Sequence, residues 1–407
     1  MQHKPLEGIR ILEIGGYIAL PYGTSMLCAL GAEVVKIERP VVGEDFRRHQ
    51  NEKSPYFRQY NTGKRSLAVD LKSQEGVDLV KALIPHFDVV LENLRPGKVA
   101  AMGLGLEDCR ALRPDIIYGS VTGFGSTGPL ADRPAYDTIG HAFGGLYSIF
   151  GDEGHPQLAG GLSADLITGM ATCTGVLAAI VGRQNTGQSQ YMKTSIMEAV
   201  SVLTADSMAQ LFELGHNPTR TSRHPQAQNF CVNTASGESM AVHLSSSQKF
   251  WGSLCKSMDR LDLLEDPRFG EYRPREANYF ELVPIVAAEF LKRPYAEWEA
   301  ILTANDVPFA PVLTMSGYRE HPQVEHLGMF EPQDDGLPLV RPPWTFDGER
   351  PDRAGTAPRV GGDSRSVAAE VLTAEQIDGL IAAGVLFVDT PDTTETASAA
   401  ERAGATA

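Results

Sequence analysis

The sequence lacks any uninterrupted apolar run approaching 18 residues, so no membrane-spanning helix and no membrane partner are expected. Its opening residues, M-Q-H-K-P, lack the apolar core of a secretion signal. Cysteine is scarce: Cys28, Cys109, Cys173, Cys231 and Cys255 are odd in number, scattered and without metal-ligand spacing. That pattern argues against a disulfide framework or a metal site, and for reduced thiols in a cytoplasm. Positive charge is short as well, since 36 Lys and Arg face 51 Asp and Glu for a net charge of −15. Nucleic acid is therefore disfavoured as the main partner. An anionic ligand is not, because local cations and helix N-termini hold phosphates even in acidic proteins.

What is present is an α/β pattern. Gly8–Ile14 reads as a strand closed by Gly15 and Gly16, Pro21–Leu30 as a helix ending at Gly31, and Glu33–Ile37 as a second strand. This βαβ unit carries an acid, Glu38, after its second strand, as dinucleotide folds do. However, the chain reads G-G-Y-I-A-L-P where a G-x-G-x-x-G fingerprint would stand, which disfavours a nicotinamide enzyme. Strands at Ser66–Asp70, Val89–Leu91 and Ile116–Val121, with a helix near Gln74–His86, extend a parallel, doubly wound sheet. A strand at Gln190–Thr194 and one long helix, Ile196–Leu214, follow.

With 407 residues the chain has room for two domains. The expected division is a large domain over residues 1–215, a His-, Asn- and Pro-rich linker over 216–229 and a smaller α+β domain over 230–320. The latter contains a hairpin around Ser236-Gly237 and helices at Gln248–Met258, Arg275–Lys292 and Tyr295–Ala304. A loop-rich return follows, with a last helix near Ala374–Ala383. Residues 389–407 have no apolar periodicity and read as a disordered tail.

The stretch from Arg133 to Met170 carries the chemistry. R-P-A-Y-D-T-I-G-H-A-F-G-G-L is followed, after a polar turn, by A-G-G-L-S-A-D-L-I-T-G-M at Ala159–Met170. Leu166, Met170, Thr174, Leu177 and Val181 repeat every three or four residues, which places them on one buried helical face. Ser163 takes the N-cap position and Asp165 the first turn, where unpaired amides and the macrodipole favour an ionised carboxylate. Two readings stand open for Asp165: a capping residue, or a nucleophile set among glycines that let a ligand approach. Arg39 and Lys72 are likewise either solvated surface charges or phosphate partners.

Several segments, in this order and spacing, resemble family III CoA-transferases, which also contain the 2-methylacyl-CoA racemases. They are P-L-E-G-I-R-I-L-E at Pro5–Glu13, L-G-A-E-V-V-K-I-E-R-P at Leu30–Pro40, N-T-G-K-R-S-L-A-V-D-L-K at Asn61–Lys72, V-L-E-N-L-R-P-G at Val90–Gly97, T-G-F-G-S-T-G-P at Thr122–Pro129 and D-V-P-F-A-P-V at Asp306–Val312. The resemblance implies a Rossmann-like large domain completed by about residues 325–388, a smaller domain, and an interlocked, ring-like homodimer. It implies that Asp165 forms acyl-anhydride and aspartyl-CoA thioester intermediates. It also implies CoA contacts at Tyr17, Ile18, Ala19, Arg39, Leu71, Lys72, Asn93 and Leu94. The family's basic residue before Met102 is replaced by Ala101, for which Arg95 or Lys98 substitutes.

Tyr136 stands where the racemases carry the histidine that shuttles a proton at C2, and the transferase branch shares this tyrosine. A neutral tyrosine, with a reference pKa of about 10, is a poor shuttle at neutral pH; His141, five residues on, is a weaker candidate base. Phe230–Leu244 has only Gly237 where oxalate-linked members carry a run of glycines. The expectation is an acyl-CoA:carboxylate CoA-transferase. The rivals are a 2-methylacyl-CoA racemase and a non-catalytic subunit of a heteromeric transferase. The substrates are an acyl-CoA and a carboxylic acid, with CoA thioester as substrate, no permanently bound cofactor and no metal. The branches it resembles most use dicarboxylates such as succinyl-CoA with glutarate, malate or an aryl-succinate. Arg133, Arg220, Arg223 and His224 are the cations expected to meet a distal carboxylate, and amides near Gly144–Gly145 or Gly160–Gly161 to bind an oxyanion.

Overall fold

Runs of Val, Ile and Leu that end in glycine or a polar turn form the strands, and intervening helices return the chain so that successive strands lie parallel. A computed structural model describes residues 4–47, 53–151, 155, 157, 158, 160, 161, 163–334 and 336–389. The chain divides into two compact units. The first draws its described residues from Met1–Leu146, Gly160–Ala205 and Gly328–Ala407, the second from Tyr147–Ala159 and Asp206–Leu327. Of the tail expected to be disordered, all but Asp389 lies outside the described residues.

In the first unit the elements run β1 (Arg10–Ile14), α1 (Ala19–Ala29), β2 (Glu33–Glu38), α2 (Pro55–Asn61), β3 (Arg65–Val69), α3 (Gln74–Leu83), β4 (Val89–Glu92), α4 (Lys98–Ala101), α5 (Leu106–Leu112), β5 (Ile117–Thr122) and α6 (Asp137–Phe143). The chain leaves the unit through α7 (Leu146–Phe150) and returns as α8 (Ser163–Thr186), β6 (Tyr191–Ser195) and α9 (Ile196–Leu203). The long helix expected from Ile196 breaks at Thr204, whose hydroxyl donates to the Ser201 carbonyl, and a new helix begins at Ala205.

In the second unit, β7 (Asn229–Asn233), β8 (Ser239–His243) and β9 (Phe309–Pro311) make a three-stranded antiparallel sheet. Trp251, Phe290 and Trp298 from neighbouring helices fill its core. The helix expected over Arg275–Lys292 is two helices, Tyr272–Ala277 and Tyr279–Phe290, parted at Asn278. Back in the first unit, β10 (Phe330–Glu331) pairs with β11 (Leu339–Val340), and β12 (Leu386–Phe387) closes the main sheet.

That sheet has the order β12-β3-β2-β1-β4-β5-β6. It is parallel except for β12, which lies antiparallel along β3. Leu12, Val35 and Val90 face one side, packed under α3, while Ile11, Val34 and Leu91 face the other under α1 and α8. The mixed α/β fold with helices on both faces agrees with the sequence pattern. Because the order reverses between β1 and β4, the loops leaving those strands diverge and open a crevice at their carboxyl ends.

Among the described residues one helix, α8, is long and apolar enough by length and composition alone to cross a membrane. It has 24 residues and a window of mean hydropathy 1.7, yet half of that window is buried inside the protein. It packs on α1 through facing glycines. A Cβ on Gly23 would meet the Gly169 carbonyl at 2.8 Å, and one on Gly169 would lie 2.7 Å from the Tyr22 ring.

Candidate active site

A cavity of about 530 Å³ opens at the carboxyl ends of β1, β2, β3, β4 and β5, a size typical of small-molecule sites. Its wall includes Tyr17, Ala19, Arg39, Leu71, Lys72, Asn93, Leu94, Tyr136 and Asp165. The structure therefore brings together nine of the eleven residues that the resemblance singled out. Ile18 is not among them: it is buried against Phe46 and Tyr60. Lys98 is not in the wall either, and sits exposed at the start of α4, whereas Arg95 lines the cavity. Arg133 also lines it, while Arg220, Arg223 and His224 belong to the second unit. Gly144, Gly145, Gly160 and Gly161 are absent from the wall, and the Gly144 N–H closes α6 on the Gly140 carbonyl.

The turn after β1 shapes one end. Tyr17 has φ +64°, a left-handed conformation that costs a residue with a side chain about 1–2 kcal/mol. The Glu44 carboxylate holds it there, accepting the Tyr17 N–H at 2.9 Å. Asn93 braces the same turn with both ends of its amide, accepting from the Gly16 N–H at 3.1 Å and donating to the Gly16 carbonyl at 2.9 Å. Its role here is to set the turn. The strained backbone presents the Tyr17 ring edge-on to Tyr136, with centroids 5.4 Å apart. Glu44 was missed in the sequence, where one acid after Gly43 among Arg and Asp gives no sign that it will fold back under β1.

Below the turn lies a cluster of fully buried charges. Glu13 accepts from Lys36 at 2.7 Å and from Lys64 at 2.8 Å, and Lys36 also donates to the Gly15 carbonyl at 2.9 Å. Burial alone would raise the Glu13 pKa, but the two ammonium groups outweigh it and hold the carboxyl at about 2. Burial works against the charged form of Lys36 too, yet Glu13, Glu44 and Glu38 together keep its pKa above the ordinary range. For Lys64 burial wins and its pKa falls. The two lysines differ because Lys36 has three carboxylates near it and Lys64 has chiefly one.

Asp165 lies in the first turn of α8 and is buried. Its own N–H donates to Asp137 Oδ1 at 3.0 Å. Ser163 does not cap the helix; it is the first helical residue and its hydroxyl meets His141 Nε2 at 2.6 Å. The expectation of a carboxylate kept ionised by the helix dipole is overturned. Burial first, and the adjacent Asp137 charge second, push the Asp165 carboxyl up to about 7. The Asp165 amide is itself engaged by the Asp137 carboxylate and does not turn back to its own side chain. A carboxyl with this pKa is partly ionised at neutral pH, stripped of water, and on the wall of a ligand-sized crevice. Such a group can attack an activated acyl carbon or exchange a proton. Among the described residues no cluster of metal-ligating side chains occurs.

The family model described as CoA-transferase family III matches residues 6–364. The mouse succinyl-CoA:glutarate CoA-transferase is 32% identical over 397 residues, covering 94% of this chain and 90% of its own. The succinate–glutarate CoA-transferase of Agrobacterium fabrum is 31% identical, covering 91% of this chain and 97% of its own. A crystal structure of a CAIB/BAIF family protein from Brucella suis superposes with a TM-score of 0.79 at 29% identity, covering 91% of this chain and all of that one.

Proposed function

Because the chain belongs to CoA-transferase family III, and is an enzyme of that class, we propose that Asp165 is its nucleophile and that it moves CoA from succinyl-CoA to a dicarboxylic acid of glutarate type. The observation that carries this reading is the Asp165 carboxyl in the wall of the crevice at the strand ends, with a pKa of about 7. The ionised carboxylate attacks the donor thioester carbon, and the C–S bond breaks to give an aspartyl acyl anhydride and CoA thiolate. The thiolate attacks the aspartyl carbonyl of the anhydride, releasing the donor acid as its carboxylate and leaving aspartyl-CoA thioester. The acceptor carboxylate then repeats the two steps in reverse, restoring Asp165. Each step exchanges one activated acyl bond for another, so neither ATP nor a redox partner enters.

The cavity's cations have distinct places in this reading. Lys72 and Arg95 lie at the ends of β3 and β4 and serve the phosphates of CoA. Arg39 is exposed and tied to Asp45 at 2.5 Å, which makes it a weaker phosphate partner. Arg133, three residues before Tyr136, meets the distal carboxylate of the dicarboxylic acid. The names of the two relatives support succinyl-CoA and glutarate as the first pair to assay. Two chains form the family's interlocked homodimer.

The purified protein is expected to move CoA from succinyl-CoA to glutarate, read by mass spectrometry across a panel of acids. It is expected to show no deuterium incorporation at C2 of a 2-methylacyl-CoA in heavy water. Exchange without transfer would replace this reading by the racemase. Tyr136→Phe decides the role of the hydroxyl. If Tyr136 donates one hydrogen bond to the reacting acyl group, its loss costs about 1–3 kcal/mol, or roughly five- to 150-fold in kcat/KM. An unchanged rate would remove Tyr136 from the site.

A further inference from the structure

Among the described residues, the side chains that engage the first-turn amides of α8 come from α6. Asp137 and His141 sit one helical turn apart on α6, 8% and 1% exposed. Asp137 Oδ1 accepts the Asp165 N–H at 3.0 Å, and Asp137 Oδ2 lies 3.2 Å from His141 Nδ1. On the far side of the ring, His141 Nε2 accepts the Ala164 N–H at 3.1 Å and meets the Ser163 hydroxyl at 2.6 Å. A backbone N–H only donates, so Nε2 is the accepting nitrogen toward Ala164, and Nδ1 is the one that faces the Asp137 carboxylate, 3.2 Å away. Each polar atom of this pair therefore has its partner on the first turn of α8 or on its own neighbour.

The chain Ser163–His141–Asp137 has the order of a hydrolase triad, but its arrangement is wrong for one. Nε2 is shared with the Ala164 N–H, and Ser163 is not in the cavity wall, whereas Asp165, two residues on, is. Its geometry serves the helix. We propose that Asp137 and His141 are positioning residues: His141 fixes the backbone of the first turn of α8, and Asp137 both holds the Asp165 amide and sets a fixed negative charge beside its carboxyl. The proposal rests on the reading of Asp165 as the nucleophile.

Its consequence for chemistry is a trade between fraction ionised and reactivity. A carboxylate whose conjugate acid has a higher pKa is the stronger nucleophile once ionised, but fewer copies are ionised at a given pH. Around Asp165, α6 presents Asp137 and His141, α2 presents Tyr60, and Tyr136 and Arg133 share its cavity. Among these, Asp137 is the group whose charge raises the Asp165 carboxyl. The nucleophile works only when deprotonated, so wild-type activity rises with pH through about 7.

The test compares the pH dependence of kcat for transfer in the wild type, Asp137→Asn and His141→Asn, with hydroxylamine trapping of the acyl-enzyme in each. Asp137→Asn removes the charge, so its acid limb is expected to move down by about one pH unit. His141→Asn keeps the charge and loses the brace on Ala164. Its limb is expected to stay at the wild-type pH, while kcat falls about tenfold through misplacement of the carboxyl and the KM for acyl-CoA changes little. An Asp137→Asn limb at the wild-type pH, with the label still on Asp165, overturns the charge assignment. A wild-type kcat in His141→Asn overturns the positioning role even if Asp137→Asn fails to fold. A label on Ser163 in the wild type, in place of Asp165, overturns this proposal and the nucleophile reading together.

Discussion

Asp165→Ala is expected to lower transfer by a thousandfold or more while leaving acyl-CoA binding within a few fold. The asymmetry follows from what is removed. The methyl group cannot form an anhydride, so both halves of the exchange lose their covalent route, and only binding and preorganisation remain. The contacts proposed for CoA come from the ends of β1, β3 and β4 and do not involve Asp165. Calorimetric titration with an acyl-CoA reads the binding term, and mass spectrometry of the products reads transfer. A variant retaining more than about a thousandth of the wild-type rate would refute the nucleophile assignment. Incubating the wild type with acyl-CoA and hydroxylamine gives a second readout, since the modified peptide must contain Asp165. Removing a buried, partly protonated carboxyl leaves no unpaired charge, so Asp165→Ala is expected to fold with near-native stability.

The largest effect on stability is expected from Glu13→Gln. Glu13, Lys36 and Lys64 are fully buried, and each lysine also holds a backbone carbonyl, Gly15 for Lys36 and Pro21 for Lys64. The Thr24 hydroxyl donates to Glu13 as well. Replacing the carboxylate by an amide keeps the volume but removes the charge that both buried ammonium groups share: Lys36 keeps Glu44 at 3.4 Å, whereas the carboxylate paired with Lys64 is gone. Breaking a buried ion pair from one side costs about 3–5 kcal/mol, which lowers Tm by roughly 10 °C for a unit of this size. Urea denaturation checks the first figure, and a loss below about 1 kcal/mol would show that the lysines neutralise or reach water instead. Removing all three charges, as Glu13→Leu with Lys36→Met and Lys64→Met, is expected to recover much of the stability.

The pH dependence of stability carries the same signature. The folded pKa of Glu13, about 2, lies below its ordinary value of 4.5. A depressed carboxylate contributes stability that is fully present above about 4.5 and is lost as the pH falls toward 2. The wild type is therefore expected to lose stability more steeply across that window than Glu13→Gln. Activity has its limb elsewhere, near 7, so acid inactivation of chemistry and acid unfolding are separable in one titration.

Much of the scaffold was legible in the sequence because its signals are local. The runs from Arg10 to Ile14 and from Glu33 to Glu38 are strands because apolar, β-branched residues cluster between turn residues. Gly31, at φ +105°, ends α1 just past its last turn, where a left-handed residue is needed. The helical character of α8 and the place of Asp165 in its first turn follow from spacing within a dozen residues, but its buried face does not: Thr174 and Val181, expected on it, are exposed, while Ala164, Thr168, Thr172, Val176 and Ile180 lie inside. The family, read from ordered segments spread along the chain, is the one the comparison shows.

What the sequence could not determine depends on groups far apart along it. Lys36 and Lys64 look like any surface lysine until three strands bring Glu13 between them, 23 and 51 residues away. Glu44 reads as solvated charge until it turns back to hold Tyr17 in a conformation that its own sequence does not favour. The first turn of α8 predicts an ionised Asp165 when only its own dipole is counted; burial first, and then the Asp137 anion of α6, more than twenty residues earlier, raise its pKa instead. Secondary structure here was fixed by short-range periodicity, which survives in the bare sequence. Burial and charge at the site were decided by the tertiary structure, because desolvation and Coulomb energies depend on distances through space that no local pattern encodes.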